Sequence, residues 1–159
     1  MAIDLFLKIE GITGESQDAR HRGAIELQSF SFGEQESGHA GGGGGAGKVS
    51  FQDFQFTAKV NKASPHLFLA CASGRHFPKA TLIARKAGGH GLEFLTLTFQ
   101  DVVVSSFHDA GAAASTDAPV DQVSLNFGKV TFEFVPQKAD GSGDAAVSVA
   151  WDVVHNRSL

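Results

Sequence analysis

The sequence predicts an all-β fold: an antiparallel β-barrel of two packed sheets with one short α-helix at about residues 64–73. Three observations carry that expectation. Apolar residues recur at two-residue spacing along most of the 159-residue chain, which is the side-chain period of a strand with one face on a core. The phase of that alternation slips at three places. Only one stretch surrounds apolar residues at helical spacing with start and stop signals.

Taken in chain order, Ile3, Leu5, Leu7 and Ile9 alternate with Asp4, Phe6 and Lys8 and give a first strand. GITGESQDARHRG (11–23) is a glycine-punctuated loop. A second strand runs from Ala24 to Phe32, with Ile25 and Leu27 in one phase and Phe30 and Phe32 in the other. A slip also separates Val49 and Phe51 from Phe54, Phe56, Ala58 and Val60, and another, across Gly128, separates Val123, Leu125 and Phe127 from Val130, Phe132 and Phe134. A one-residue slip turns every later side chain to the other face. Such strands either bulge or bend where they pass between sheets, or have both faces covered, the second by a neighbouring subunit.

The helix is expected from Ser64-Pro65, as N-cap and first-turn proline, through Leu67, Phe68 and Cys71 on its apolar side, to Gly74 as terminator. Further strands are expected at 80–86, 92–100, 102–108, 121–134 and 147–153. AGGHG (87–91) reads as a hairpin turn and AGAAASTDAP (110–119) as a small-residue loop. With no internal repeat and no linker, residues 1–159 read as a single domain carrying an extended Gly-rich loop at about 34–48.

Hydrophobic residues make up 42% and charged residues 19%, with a formal net charge of −4, which argues against nucleic acid as the main partner. The apolar runs are too short for membrane insertion, and MAIDLFLKIEG lacks the basic and apolar regions of a signal peptide. Synthesis in the cytoplasm is therefore expected, and any export must occur without a conventional cleaved signal. Cys71 is the only cysteine, so no internal disulfide can form.

HAGGGGGAGKVSF (39–51) comes close to a phosphate-binding P-loop, with Gly42, Gly47 and Lys48 at the required spacing. The next residue is Val49, where the Mg²⁺-ligating hydroxyl belongs. The preceding EQESG is polar with no strand signal, and the following VSFQDFQF reads as a strand rather than a helix. The run is read as a flexible loop.

The seven histidines show no HxH, HExxH or two-histidine strand face, so no metal or other cofactor is expected. No serine has a nucleophile-elbow context, and Cys71 reads as a buried thiol. Acidic pairs such as Asp117 and Asp121 read as loop residues without an acid/base partner, so no catalytic residue is assigned.

The order of several motifs is more telling than any one of them. LKIEGITGES (7–16), with Asp18 and His21 behind it, is followed by IELQSFSFG (25–33), FQDFQFTAKVNKASPHLFLACASG (51–74), FLTLTFQDVVVSSF (94–107), DQVSLNFGKVTFEFVPQ (121–137) and WDVVHN (151–156). Over essentially its whole length the chain resembles the haemolysin-coregulated protein (Hcp) family, the tube protein of type VI secretion systems. The resemblance implies a compact β-barrel that assembles with itself into a hexameric ring. Rings stack into a secreted tube, with a contractile sheath and a spike protein as partners and effector proteins carried and chaperoned in the lumen. It also implies that the loop Glu34–Lys48 contacts adjacent subunits. Five consecutive glycines, 41–45, leave two readings open: a loop that is mobile in the free ring and orders on stacking, or one that never orders and makes no contact. Glu34, Glu36 and Lys48 are the expected interface residues. Two other classes compete: a monomeric β-barrel binding module for a small ligand or peptide, and a hydrolase whose ligands gather from separate strands.

Overall fold

A computed structural model describes residues 2–38, 48–88 and 91–159. Among the described residues there are twelve strands and one helix, all strand pairs being antiparallel. The strands are β1 (Ile3–Ile9), β2 (Ile25–Glu26), β3 (Ser29–Ser31), β4 (Glu34–Glu36), β5 (Val49–Phe51) and β6 (Phe54–Lys59). Helix α1 (Ser64–Ser73) follows, and then β7 (His76–Lys86), β8 (Glu93–Ala110), β9 (Val120–Asn126), β10 (Lys129–Phe134), β11 (Val147–Asp152) and β12 (Arg157–Ser158).

Ten strands form one branched sheet. The path β12-β11-β10-β8-β7-β1-β2 meets a second path, β3-β6-β9, at β8, while β4 and β5 pair separately. No ladder joins β2 to β3, so the expected barrel is approached without a closed ring of hydrogen bonds. The chain itself bridges that gap: Leu27 N donates to Leu5 O on the β1 side, and Gln28 N to Thr57 O on the β6 side. This change of partner is the phase slip between Leu27 and Phe30. The slip between Phe51 and Phe54 has the same origin, because β5 belongs to the small sheet and β6 to the large one.

The third slip is a shared bend. Strand β8 is one 18-residue strand where the sequence suggested two, and it runs beside both β9 and β10. Gln100 faces Lys129 and Val103 faces Asn126, so one register continues through the bend. Asp101 adopts a left-handed backbone there, with φ 54°, and Gly128 lies against its side chain. Further along, a bulge at Ser105 sets both Ser105 and Ser106 against Ser124, with Oγ–Oγ distances of 2.7 and 2.5 Å. Ser105 also donates to Asp53 Oδ2, and Asn126 Nδ2 donates to Asp53 Oδ1, so the bulge has its polar groups matched.

The core lies between the sheet layers and under α1. Its centre is aromatic: Phe99 packs on Phe127 and Phe54 with ring centroids 4.7 and 4.9 Å apart, and Phe32 joins edge-on to Phe99. Phenylalanine suits these positions because it carries no hydroxyl that would need a buried partner. Burial of each such ring stabilises the fold by about 1.5–3 kcal/mol.

Helix α1 has the predicted bounds, and Gly74 closes it in the left-handed conformation (φ 67°), with Arg75 N donating to Ala70 O. Its start differs from the expectation. The N-cap position is Ala63, and Ser64 makes no capping bond. Asn61 replaces it, its Oδ1 accepting from Ala63 N at 2.8 Å, while Ser64 Oγ accepts from Asn61 N and donates to Asp121. Phe68 also departs from its expected apolar side: it is 60% exposed beside Leu69 at 61%, and Leu67 and Ala70 are the side chains that enter the core. Cys71 is half-buried against that core rather than fully enclosed.

The loop after β1 is tightly folded. Gly14 N donates to Gly23 O and Ser16 N to Ala24 O, and a Cβ at Gly14 would come within 2.5 Å of Ala24 O. Only glycine fits that approach.

Candidate subunit interface

The segment EQE, which has no strand signal, is nevertheless strand β4. It pairs with β5 through Glu34 opposite Phe51, Gln35 opposite Ser50 and Glu36 opposite Val49. The pairing partner supplies what propensity does not. Because all three β4 side chains are exposed, no apolar alternation is demanded of them. The expected loop 34–48 is thus the base of a hairpin arm. Its glycine run 41–45 lies outside the described residues.

The three sequence-predicted residues gather at this base. Glu34 and Glu36 occupy both ends of β4, and Lys48 immediately precedes β5; all are exposed. Glu36 Oε1 accepts from Gly38 N at 3.1 Å and Ser37 Oγ reaches Lys48 O at 3.4 Å. Among the described residues, the four ion pairs involve none of the three.

The arm adjoins a surface that the sequence did not single out. On one face of the β10–β11 ribbon, Val130 stands opposite Trp151, Phe132 opposite Val149 and Phe134 opposite Val147. Phe132 and Phe134 are 42% and 44% exposed, and Val147 and Val149 are 62% and 67% exposed. Lys129, Thr131 and Glu133 take the other face by strand alternation. Phe132 and Phe134 also stand opposite Leu97 and Leu95 on β8, so the apolar face continues inward from the open edge to the core. Where it meets the arm, a groove of about 300 Å³ is lined by Phe32, Glu34 and Phe51 on one side and Phe132, Val149 and Trp151 on the other. The available signal was the apolar content of VTFEF and VSVAW on strands already served by a core.

A second groove, of about 400 Å³, is chemically opposite. Ser29, Ser31, Gln55, Thr57, Gln122 and Ser124 carry uncharged hydroxyls and amides across β3, β6 and β9. Ser29 and Thr57, opposite in register, join their hydroxyls at 2.6 Å.

Asp18 and His21, flagged within the motif series, fix the loop after β1. Arg85 of β7 reaches Asp18 at 2.7 Å and Asp4 at 3.1 Å and lies over the Phe6 ring at 4.9 Å. Hydrogen bonding from this guanidinium, with backbone N–H donation, lowers the Asp18 carboxyl to about 2. His21 is buried, stacks on Phe6 with centroids 4.7 Å apart, and bonds Glu93 Oε1 through Nε2 at 2.6 Å. Asp121, read as a loop residue at the start of the expected strand 121–134, is a fully buried residue of β9. The strand alternation that buries Val123 and Leu125 carries it onto the core face.

A family model described as "Type VI secretion system effector, Hcp" matches residues 6–134. The chain is 44% identical to "Protein hcp1" of Pseudomonas aeruginosa PAO1, with 98% of each chain covered. Among solved structures it is similar to Hcp1 from Salmonella typhimurium, with 35% identity, a TM-score of 0.83 and full coverage of both chains. A "type six secretion system protein" superposes with a TM-score of 0.93 at 27% identity, covering 99% of this chain and 100% of its own. Sequence, fold and the motif series thus agree, and the chain belongs to the Hcp family of type VI secretion system proteins.

Proposed function

We propose that the chain is a structural subunit of the type VI secretion inner tube. Copies close into a hexameric ring, rings stack into a hollow tube, and effector proteins travel in the lumen. The observation that carries this reading is the exposed row Phe132/Val149 and Phe134/Val147 on a sheet edge, continuous with the groove at the arm base. A contiguous apolar face of this kind on an open edge marks a surface that another surface covers. A second copy of the same chain would do so in a closed ring.

In this reading the β4–β5 arm and its residues Glu34, Glu36 and Lys48 serve contacts between rings. The uncharged polar groove of β3, β6 and β9 faces water on the wall of the ring, where hydroxyls and amides stay hydrated. The role is structural and carrying rather than catalytic. Export proceeds through the type VI system, with sheath and spike proteins as partners and no cleaved signal peptide.

Light scattering on a sizing column tests the reading. A mass near six chains supports ring closure. A strictly monomeric protein over a wide concentration range overturns it and leaves a β-sheet binding module as the better description.

A further inference from the structure

Asp121 is fully buried near the start of β9, on the same face as Val123 and Leu125. Its Oδ2 accepts a hydrogen bond from Ser64 Oγ at the start of α1, at 2.5 Å. Its Oδ1 is hidden from solvent and has no donor. A buried carboxylate oxygen without a donor is costly, whereas a carboxylic acid needs only an acceptor for its proton. One stands across the β8–β9 pair, where Asp109 is the register partner of Asp121.

We propose that Asp121 holds a proton, bonds through it to Asp109 and, with Ser64, forms a clasp that joins α1 to the end of the β8–β9 hairpin below neutral pH and loosens as the proton leaves. In the protonated clasp Asp121 donates to the Asp109 carboxylate through one oxygen and accepts from Ser64 through the other. Three elements meet at one side chain. Loss of the proton removes the bond to β8 and leaves two negative charges facing each other, one of them buried.

Among the described residues, no compensating cation pairs with Asp121. From β8 the facing group is Asp109, while His108, one position earlier and opposite Gln122, lines the groove on the other face. From β6 the register partner is Ala58, with Lys59 opposite Val120. Helix α1 presents Ser64, and its His66 is exposed. The loop between β8 and β9 holds Asp117, whose N–H is bonded to Ser115 Oγ. Among the described residues, no ion pair involves Asp109 or Asp121. Burial first, and then Asp109, raise the Asp121 carboxyl to about 6, against a smaller opposing effect of Ser64. The folded state therefore holds this proton more tightly than the unfolded chain does. Its contribution is complete below about pH 4 and is lost as the pH rises through about 6.

Hydrogen exchange read by mass spectrometry on the whole protein tests the clasp, with rates corrected for the chemical effect of pH. Protection of peptides spanning 108–121 and the start of α1 is expected to fall about tenfold or more between pH 5 and pH 8, with a midpoint near 6. Asp121→Asn, which carries no ionisable proton, is expected to keep equal protection at both pH values. Two milder variants act in opposite directions and hold the test should that one fold poorly. Asp109→Asn lowers the midpoint by removing the facing charge. Ser64→Ala raises it by removing a donor that favours the carboxylate. A midpoint that neither variant moves, or a pH dependence unchanged in Asp121→Asn, would overturn the proposal.

Discussion

Phe132 of β10 stands directly opposite Val149 of β11, and both side chains lie on the exposed side of the ribbon rather than inside the core. Cross-strand apolar pairs are ordinarily half of a buried layer. Here the same row runs inward through Leu97 of β8, which is buried, so one continuous face is core at one end and open at the other.

A charge placed on that face should separate assembly from folding. Val149→Asp and Phe132→Asp are expected to shift the solution mass from a ring toward a monomer. Surface substitutions away from packed features usually change stability by only about 0.5 kcal/mol. The far-ultraviolet circular dichroism and the denaturant midpoint should therefore move little for Val149→Asp, which is 67% exposed, and more for Phe132→Asp, which also loses packing in the groove. A mass that stays at six chains with either variant would remove this face from the interface.

The arm makes a different prediction. Because Glu34, Glu36 and Lys48 are exposed and outside the ion pairs of the described residues, reversing their charges leaves the subunit fold intact. Combined reversal of Glu34 and Glu36 to Lys is expected to weaken ring stacking while preserving rings, and the defect should grow smaller at high salt, where exposed charges are screened. Negative-stain microscopy over a salt series counts tubes against free rings. Equal tube lengths for wild type and variant would dismiss these residues as stacking contacts.

Acid should act through Asp18. Its carboxyl, lowered to about 2 by Arg85 and backbone donors, is depressed in the folded state relative to the ordinary 3.8. Its contribution is present above about pH 4 and is lost as the pH falls through about 2. Asp18→Asn is expected to lower the melting temperature at pH 7 and to flatten the decline in stability between pH 4 and pH 2. Thermal melts at both ends of that window measure the difference, and parallel curves would refute the role.

Gly14→Ala tests the fold of the loop after β1. A Cβ at that position meets the backbone of Ala24 at 2.5 Å, and a backbone atom cannot rotate away as a side chain can. A loss of about 2 kcal/mol is expected from this overpacking, read as a lower urea midpoint at unchanged slope. Ala at Gly88, where a Cβ would meet nothing within 4 Å, controls for the loss of glycine alone, although its left-handed backbone adds some strain.

Much of the fold could be read from local pattern. Strand β1 and helix α1 appear at the expected bounds, because strand alternation, Pro65 and Gly74 act within a few residues of one another. The three phase slips were visible as well, and each marks a real event: a change of partner after Leu27, a change of sheet after Phe51, and a bend at Gly128. What the slips could not reveal was which partner lay on each side, since hydrogen-bonded neighbours here are often distant in sequence.

The misreadings share that cause. Glu34–Glu36 has no strand propensity and becomes a strand only because Val49–Phe51 lies beside it. Ser64 resembles a cap until Asp121, 57 positions away, claims its hydroxyl. Phe68 is apolar and helical but meets only the edge of the Phe107 ring of β8, at 6.1 Å between centroids, and stays 60% exposed.

By itself, the sequence determined the all-β class, the single helix and, through the order of its motifs, the resemblance to the Hcp family. These depend on side-chain period, backbone preference and chain order, all of which are local or linear. Only the tertiary structure decided that Phe132, Phe134, Val147 and Val149 form one open face, that the arm base adjoins it, and that Asp121 is buried with Asp109 opposite it in register. Exposure and pairing are properties of what folds against what. An apolar residue in a strand reads the same whether its cover is the core or another chain.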